Sequence, residues 1–203
     1  MEYFDVCDAS GAPTGEVVSR EEAHRLGVRH RTAHVWVARR RQGRWEVLLQ
    51  KRSEEKDSFP GKYDTSSAGH IRAGDEPLVS ALRELEEELG IRAEPGELQF
   101  AGTFDIRYEK AFHGRMFRDD ELAHVYVYDR PVDAAALRLQ TEEVERVDWF
   151  DLDTLWKVAR GRRDLFCVPM ESVAVLRHWA EHRPENQNFT RLQAGIQEPH
   201  VEN

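Results

Sequence analysis

A short charged run in the middle of the chain has the residue types and spacing for metal chemistry. Glu84, Glu87 and Glu88 stand at positions i, i+3 and i+4, so a helix presents their carboxylates from one face. Three such carboxylates repel one another unless a hard divalent cation, which prefers oxygen ligands, lies between them. Arg83 can pair with Glu87 one turn further on. The pattern indicates a Mg²⁺ site, while a solvated acidic helix face is the alternative.

The sequence on either side predicts that this run is helical. Pro77 and the acids before it suit the first turn of a helix, and Gly90 supplies a C-terminal stop. A glycine-bearing loop that begins at Gly69 precedes the helix, and such loops commonly receive phosphate groups. We expect the glutamates to lie at a sheet edge rather than in the core, because leucines form the opposite face. These are Leu78, Leu82, Leu85 and Leu89.

The rest of the chain is predicted to contain short strands and few helices. Apolar runs and turn signals predict strands at residues 3–6, 16–18, 32–38, 45–50, 63–67, 98–109, 123–128 and 144–150. Further helices are predicted at residues 19–26, 154–159 and 169–182. The charged stretch 113–120 is expected to be a loop. These elements suggest an α+β or α/β sandwich around a mixed sheet, although periodicity alone does not choose its topology.

Length, charge and cysteine content limit the classes of protein. A chain of 203 residues favours one domain, for which we expect an N-terminal hairpin and short helix at 1–29, a main domain at 30–182 and a polar tail at 183–203. The net charge of −9 argues against nucleic-acid backbone binding. Neither a signal peptide nor a membrane-spanning apolar run is expected. Cys7 and Cys167 lack paired spacing, which indicates a reduced cytoplasmic protein with two structural cysteines.

The stretch Gly69–Ile91 resembles the Nudix box, G-x5-E-x7-R-E-U-x-E-E-x-G-U, in which U is aliphatic. Every position matches except Asp75, where the family has glutamate, and we expect this shorter acid to support the loop. With its flanking strands, the resemblance covers roughly residues 30–160. It implies an α/β/α sandwich around a mixed sheet. It also implies Mg²⁺- or Mn²⁺-dependent hydrolysis of a diphosphate bond in a nucleoside diphosphate linked to another moiety, or in a nucleoside di- or triphosphate.

By the same resemblance, Glu84, Glu87 and Glu88 bind the metal together with the backbone carbonyl of Ala68. Arg83 belongs to the same catalytic set. Glu88 or a loop acid takes the proton of the attacking water. Among the candidate acids Asp119, Asp120 and Glu121 we favour Glu121, with a plain solvated acid as the alternative. The family also leads us to expect a small-molecule diphosphate as partner and a homodimer.

Three residues in and beside the polar loop at 51–62 are candidates for substrate binding. Arg52 follows a strand and precedes the Phe-Pro-Gly turn, so it can contact phosphate, although a surface arginine is the alternative. Phe59 and Tyr63 flank this loop and are better candidates for stacking a base than the five tryptophans, which are more often core residues.

The flanks of the box also resemble isopentenyl-diphosphate isomerase, which shares the Nudix fold but moves a double bond. The resemblance lies in residues 8–15, in His24 and His30, and in residues 65–70. The catalytic cysteine of that enzyme falls on Ala68, which cannot transfer a proton. His24, His70 and Glu121 fall where its metal-site residues lie, although lone histidines are more often structural.

We therefore interpret the chain as a Nudix hydrolase of the isomerase-like branch. The isomerase itself is one alternative. A Nudix-fold nucleotide-binding module without turnover is another, but the intact set of Arg83, Glu84, Glu87 and Glu88 argues against it. The particular diphosphate, the number of metals, the general base and the oligomeric state stay open.

Overall fold

A computed structural model describes residues 2–56, 58–112 and 114–183. Within these residues, a seven-stranded mixed sheet has the strand order β5-β4-β3-β8-β7, with β6 added to β3 and β9 added to β4. A separate two-stranded sheet joins β1 and β2. The strands are β1 Tyr3–Cys7, β2 Pro13–Ser19, β3 His30–Arg41, β4 Arg44–Arg52, β5 Tyr63–Asp64, β6 Ser67–His70, β7 Leu98–Phe112, β8 Arg115–Tyr128 and β9 Val144–Asp151. The helices are α1 Arg20–Leu26, α2 Pro77–Leu89, α3 Leu152–Val158 and α4 Met170–Glu181.

Strand β3 lies at the centre of the sheet and sets its mixed character. It pairs in parallel with β8, from His30 opposite Glu121 to Val37 opposite Tyr128. It pairs antiparallel with β4 and with β6. The run from residue 32 to residue 38 is buried throughout, as expected for a strand covered on both faces.

Helices cover both faces of the sheet and form two hydrophobic cores. On one face Trp36 and Val125 pack with Leu155 of α3 and Leu176 of α4. On the other face the leucines of α2 pack with Val35, Leu48 and Tyr126. The predicted α/β/α sandwich around a mixed sheet is confirmed.

Helix α2 begins and ends where the sequence predicts. Pro77 occupies its first turn, and Gly90 ends it with a φ of 69°, a left-handed conformation that glycine adopts without steric cost. Leu85 and Leu89 are completely buried. The helix therefore packs its leucine face on the sheet and orients the glutamates toward β6.

The hairpin of β7 and β8 is longer than the sequence analysis predicts. Residues 113–120 were expected to form a loop, but β8 begins at Arg115 and pairs with β7 from Phe112 opposite Arg115 onward. The misleading feature is the charge of this segment. Asp119 and Glu121, two residues apart, point to the same side of the strand and are both buried against histidines. Burial against these partners replaces the solvation that a charged loop would have.

The N-terminal hairpin and α1 lie against the main sheet. Ser19 caps α1 by accepting a hydrogen bond from the Glu22 backbone amide, and Gly27 ends the helix with a φ of 71°. The expected boundary at residues 29–30 stays a prediction, although Phe4 of this extension stacks on histidines of the main sheet. Most of the expected tail at 183–203 lies outside the described residues. No helix in the described part of the chain is long and apolar enough to cross a membrane.

Candidate active site

The glutamates of α2 lie against strand β6. Oε2 of Glu88 accepts hydrogen bonds from the Ala68 backbone amide at 3.2 Å and from Nε2 of Gln50 at 3.1 Å. Glu88 is only 6% exposed, and Glu84 is largely buried as well, whereas Glu87 is exposed. The expectation that all three carboxylates lie at the sheet edge is therefore wrong for Glu88, because Gln50 and Ala68 supply hydrogen bonds that compensate for its burial.

Glycine is required at the start of the Nudix-like stretch because Glu84 occupies the space beside it. A Cβ atom at Gly69 would lie 2.2 Å from Cδ of Glu84 and 2.3 Å from its Oε1. Any larger residue at this position would displace the carboxylate. The absence of a side chain at Gly69 therefore leaves the space that the Glu84 carboxylate occupies.

Arg83 supplies the positive charge nearest to these carboxylates. Its Nη1 atom lies 2.6 Å from Glu84 and 3.4 Å from Glu87, and its Nη2 atom donates to the carbonyl oxygen of His70 at 3.0 Å. The sequence analysis expected the pair with Glu87, but the shorter contact is with Glu84. Arg83 thus fixes α2 to the end of β6 and holds two of the three carboxylates.

The electrostatics of the α2 glutamates fit a divalent cation. Burial, together with the charge of Glu84, raises the pKa of Glu88 to about 8. Burial also raises the pKa of Glu84, although Arg83 opposes the shift. Buried carboxylates with raised pKa values bind a proton when no cation is near, and a metal ion can replace that proton. The donor set consists of oxygen atoms, which suits Mg²⁺ or Mn²⁺.

A second cluster of five ionisable side chains lies beside β6; we call it the histidine cluster, and it consists of His24, His30, His70, Asp119 and Glu121. One ligand atom from each of the three histidines lies within 4.8 Å of the others, and the same holds for His30, Asp119 and Glu121. Nε2 of His24 is 3.2 Å from Nε2 of His70. Nδ1 of His24 is 3.4 Å from Asp119, and Nε2 of His30 is 3.5 Å from Glu121.

Four separate elements hold the histidine cluster together. His24 comes from α1, His30 begins β3, His70 ends β6, and both acids lie on β8. The ring of Phe4 stacks on His30 at 4.9 Å and on His70 at 4.5 Å between ring centroids. Oγ1 of Thr32 donates to Glu121 at 3.1 Å, and Nδ1 of His30 lies 2.8 Å from the Val28 carbonyl oxygen. His30, His70 and Glu121 are thus each fixed by a contact with a residue outside the cluster.

The histidine cluster has the donor geometry of a metal site. Ligands bound to one ion at about 2.1 Å lie roughly 3.0–3.5 Å apart, which is close to the separations observed here. Nδ1 of His24, Nε2 of His30 and Oδ1 of Asp119 are buried and have no hydrogen-bond partner among the described residues. Burial, together with the positive charges of neighbours such as His30 and Arg20, holds the pKa of His70 well below its usual range. This imidazole is therefore neutral and can bind metal. Burial and Asp119 raise the pKa of Glu121 to about 7.

Strand β6 separates the α2 glutamates from the histidine cluster. Ala68 and His70 pair with His34 and Thr32 of β3, whereas Gly69 lies against Glu84 of α2. The amide of Ala68 contacts Glu88. That the Ala68 carbonyl binds the metal stays a prediction. The Ala68 backbone does lie beside Glu88, one of the predicted ligands.

The predicted substrate-binding residues occupy three different environments. The Arg52 guanidinium donates to the carbonyl oxygen of Ser58 at 2.9 Å and 3.1 Å and lies 3.4 Å from Asp64, so it holds the loop that carries Phe59. The ring of Phe59 packs on the β7-β8 hairpin. Tyr63 packs on Phe150 and Phe166.

Tyr63 has its ring and its hydroxyl engaged within the fold. The ring packs on Phe150 and Phe166, and the hydroxyl donates to Asp148 at 2.6 Å. Its side chain therefore has partners within the fold, and its role in stacking a base stays a prediction. Asp120, the third acid considered, lies 2.6 Å from Arg29 and is held outside the histidine cluster.

Sequence analysis missed two residues that the structure brings to these sites. Gln50 supports Glu88, and Tyr108 lies opposite Asp119 of the histidine cluster. Asp119 was a candidate acid, but its contact with His24 was not predicted. The spacing of Asp119 and Glu121 was a usable signal, because residues i and i+2 of a strand share one face. Gln50 gave no comparable signal, since its role depends on how β4 lies against α2.

Helix α2 thus places a cluster of carboxylates on a mixed sheet that lies between two helical layers. The model of the NUDIX domain family matches residues 28–168, which is more than half of the chain. The chain belongs to the Nudix family. The prediction of a Nudix-type pyrophosphate hydrolase is confirmed at the level of this family.

Curated relatives with similar sequences are Nudix hydrolases. Nudix hydrolase 3 of Arabidopsis thaliana is 43% identical over 150 residues, which are 73% of this chain but only 19% of that protein. An uncharacterised Nudix hydrolase of Clostridium acetobutylicum is 36% identical over 163 residues, 80% of this chain and 76% of the relative. Nudix hydrolase YfcD of Escherichia coli is 29% identical over 187 residues, covering 92% and 91%. These matches show the family and not the isomerase-like branch.

Solved structures with low sequence identity share the fold. A Deinococcus radiodurans protein superposes with a TM-score of 0.64 at 16% identity and covers 87% of this chain and 98% of its own. The NUDIX domain of Shewanella oneidensis NrtR, in complex with ADP ribose, gives a TM-score of 0.55 at 15% identity, covering 81% and 98%. A C. elegans Ap4A hydrolase complex gives 0.51 at 19% identity, covering 74% and 97%.

Proposed function

We propose that the protein is a Mg²⁺-dependent hydrolase that cleaves a diphosphate bond in a nucleoside diphosphate linked to another moiety. The observation that supports this proposal best is the Glu88 carboxylate. It is buried beside Glu84, has a pKa raised to about 8, and is oriented by hydrogen bonds from Gln50 and Ala68. A group placed in this way favours binding of a divalent cation over ionisation alone.

The side chains around α2 have separate tasks in this proposal. Glu84, Glu87 and Glu88 hold Mg²⁺, with the Ala68 carbonyl as a further ligand. When bound by these residues, Mg²⁺ would neutralise charge on the diphosphate and lower the pKa of the attacking water. Arg83 keeps Glu84 and Glu87 in position through its contacts at 2.6 Å and 3.4 Å.

Two acids can accept the proton of the attacking water. Glu88 is held by Gln50, and Glu121 is held by Thr32 at 3.1 Å. Both are buried and have raised pKa values, which suits proton acceptance near neutral pH. We retain Glu121 as a candidate because its carboxylate belongs to the histidine cluster beside β6.

We extend the proposal to a cation at the histidine cluster. Imidazole nitrogens and carboxylates together suit Mn²⁺ or Zn²⁺ better than Mg²⁺. Nδ1 of His24 and Nε2 of His30 support this assignment, because among the described residues they form no hydrogen bond and lie 3.4 Å and 3.5 Å from carboxylates. The protein would then use two chemically different metal sites on either side of β6.

The alternatives receive less support. The isomerase needs a thiol where this chain has Ala68, and the comparisons do not support it. A binding module without turnover has no chemical need for Arg83 together with three glutamates. A homodimer and a cytoplasmic location stay predictions.

The test is hydrolysis of a diphosphate panel with Mg²⁺, including ADP ribose and Ap4A, in which both products are identified. We expect Glu88→Gln to lower kcat/KM by about 100-fold or more, because the neutral amide removes a ligand charge. Glu86→Gln is the matched control, since Glu86 is exposed on the same helix and pairs only with Arg92 among the described residues. Equal activity of the two variants, or no turnover of any diphosphate, would reject the proposal.

A further inference from the structure

The loop that joins β6 to α2 is held by residues that lie outside the Nudix-like stretch. This loop consists of residues 71–76, and we call it the box loop. The Ile71 amide donates to the carbonyl oxygen of Arg31 on β3 at 3.0 Å. The Ala73 amide donates to the carbonyl oxygen of Tyr3 on β1 at 2.8 Å. The box loop is therefore bound both to the central strand and to the N-terminal hairpin.

Asp5 of β1 is the side chain that joins these contacts. Its Oδ2 atom accepts a hydrogen bond from the Gly74 amide at 3.0 Å and lies 3.0 Å from Nη2 of Arg31. The same Nη2 atom donates to the carbonyl oxygen of Asp75 at 3.4 Å. The side chains of this ion pair are only 14% exposed for Asp5 and 11% for Arg31. Because the pair is shielded from water and its groups also bind the backbone, it fixes the box loop better than a surface pair could.

Asp75, the acid at the position where the Nudix box has glutamate, takes part through its backbone. Its amide donates to the carbonyl oxygen of Arg72 at 2.9 Å, and its own carbonyl oxygen accepts from Arg31. Across the residues that the structure describes, its carboxylate has no hydrogen bond or ion pair. The carboxylate that binds an amide of the box loop therefore comes from β1, and support of the loop by the Asp75 side chain stays a prediction.

The position of the box loop affects the fit at the α2 glutamates. The loop begins directly after His70, whose carbonyl oxygen accepts a hydrogen bond from Arg83 at 3.0 Å. Just before His70 lies Gly69, which leaves the space for the Glu84 carboxylate. The loop ends at Pro77, the first residue of α2. A shift of the box loop would therefore move β6 relative to α2 and displace the carboxylates that are predicted to bind metal.

Strand β1 contacts both candidate metal sites. Phe4 is completely buried and stacks on His30 and His70 of the histidine cluster. The next residue, Asp5, binds the box loop. Because successive residues of a strand point to opposite sides, one short strand lies between the histidine cluster and the box loop. The N-terminal hairpin is thus built into the site rather than added beside it.

We propose that Asp5 is a positioning residue for the metal site on α2. It holds the Gly74 amide and the Arg31 guanidinium, and through the box loop it keeps β6 at the distance from α2 at which the glutamates bind a divalent cation. The inference rests on the proposed function, because it concerns the affinity of the same cation site. It assigns to the active site a residue outside 28–168, the part of the chain that the family model matches.

The first experiment measures metal affinity without turnover. Mn²⁺ binding is followed by electron paramagnetic resonance in a His30→Ala background, which leaves the α2 glutamates as the Mn²⁺ site. We expect Asp5→Ala to weaken Mn²⁺ binding about tenfold, the lower end of the effect of residues that orient metal ligands. Asp5→Asn keeps an oxygen acceptor but loses the charge that pairs with Arg31, so its loss should be smaller, about threefold.

The matched control is Asp8→Ala in the same hairpin. Oδ1 of the exposed Asp8 accepts hydrogen bonds from the Ser10 amide at 2.8 Å and from the Ala12 amide at 3.0 Å, both within the β1-β2 turn. Because this variant keeps the contact between Asp5 and the box loop, its Mn²⁺ affinity should stay within about twofold of the parent protein. Thermal unfolding checks that every variant is folded at the temperature of the titration. An unchanged affinity in Asp5→Ala, or an equal loss in both variants, rejects the positioning role.

Hydrogen–deuterium exchange tests the contact itself. Asp5→Ala removes the acceptor of the Gly74 amide, so peptides that cover residues 71–76 should exchange about tenfold faster than in the wild type. Asp8→Ala should leave their exchange unchanged. Exchange that is equally slow in Asp5→Ala would show that the box loop does not depend on this carboxylate.

The last experiment separates this inference from the hydrolase proposal by the Mg²⁺ dependence of diphosphate hydrolysis. Asp5→Ala should raise the half-saturating Mg²⁺ concentration about tenfold and regain most of kcat at saturation, because all the ligands remain. Glu88→Gln should stay slow at every Mg²⁺ concentration. Weaker Mn²⁺ binding in both variants without hydrolysis of any diphosphate would reject the hydrolase and keep the role of Asp5. Weaker binding and turnover in Glu88→Gln alone would keep the hydrolase and reject the role of Asp5.

Discussion

At the scale of single residues, the candidate active site depends on close fits that leave little room for substitution. Glu88 is buried because Gln50 and the Ala68 amide offer hydrogen bonds to one of its oxygens. Glu84 is buried because Gly69 leaves space for its carboxylate. Burial raises the pKa of both carboxyls, so a bound cation and a bound proton compete for the same oxygens.

Gly69→Ala tests this fit directly. The new Cβ would lie 2.2 Å from Cδ of Glu84, so the carboxylate must move. We expect kcat/KM for a diphosphate substrate to fall about 100-fold, since displacing a catalytic group by about 1 Å can cost that much. The φ of Gly69 lies outside the left-handed region, so the backbone itself accepts alanine.

Gly96→Ala is the matched control for this substitution. Gly96 also has an ordinary φ, and a Cβ there would meet no atom within 4 Å. Steady-state kinetics and thermal unfolding of both variants provide the measurement. Retention of full activity in Gly69→Ala would show that the Glu84 position is not needed.

At the scale of elements, the histidine cluster depends on the pairing of β3 with β8. Because His30 lies opposite Glu121 in this parallel register, the histidine at the start of one strand meets an acid of the other. Helix α1 then adds His24, and β6 adds His70. A metal ion at this point would connect four elements.

A metal bound at the histidine cluster should therefore stabilise the fold. With free Mn²⁺ at about 100 times its Kd, we expect the free energy of unfolding to rise by about 2.7 kcal/mol and the melting temperature to rise by roughly 5–10 °C. His30→Ala should lose most of this rise relative to its own metal-free form, because His30 belongs to both triads of donor atoms. Thermal unfolding and metal content by mass spectrometry measure the effect.

His178→Ala controls for the loss of a histidine in general. His178 is exposed on α4, where its ring lies 4.2 Å from that of His182. This variant should keep the full metal-dependent rise in melting temperature. An undiminished rise in His30→Ala would contradict a cation at the histidine cluster and would leave the α2 glutamates as the Mn²⁺ site.

At the scale of the whole molecule, two hydrophobic cores hold the layers together. Trp36 of β3 is completely buried, and its Nε1 atom donates to Oγ of Ser172 on α4 at 3.0 Å. This contact joins the central strand to the C-terminal helical layer. The other face of the same sheet carries α2 with its glutamates. Stability and site geometry are therefore linked through β3 and its neighbours.

Trp36→Phe should destabilise the whole protein without acting on the chemistry. The smaller ring leaves a cavity and an unpaired Ser172 hydroxyl, which together cost about 2 kcal/mol and roughly 4–8 °C in melting temperature. Chemical denaturation measures the loss. Trp156→Phe, at a partly exposed position, should cost less than about 1 kcal/mol. A loss in Trp36→Phe no larger than in this control would contradict the role of the Trp36 contact.

Much of the α2 region could be predicted from sequence because its signals are local. Pro77, the leucine spacing and Gly90 specify the helix within one short stretch. The burial of Glu88 could not be predicted in this way, because Gln50 is 38 residues away in the chain. The strand at 115–122 was missed because its charges are compensated by residues of α1 and β3.

The sequence by itself determined the family and the acid-bearing helix, and it predicts oxygen ligands for a metal, since these follow from residue types at fixed short spacing. Only the tertiary structure decided which distant residues meet. His24 and Asp119 are 95 positions apart in the sequence, yet their side chains lie 3.4 Å apart because α1 packs on β8. Phe59 likewise reaches Phe112 only because its loop folds onto the hairpin. Such contacts depend on strand order and register, which local spacing does not encode.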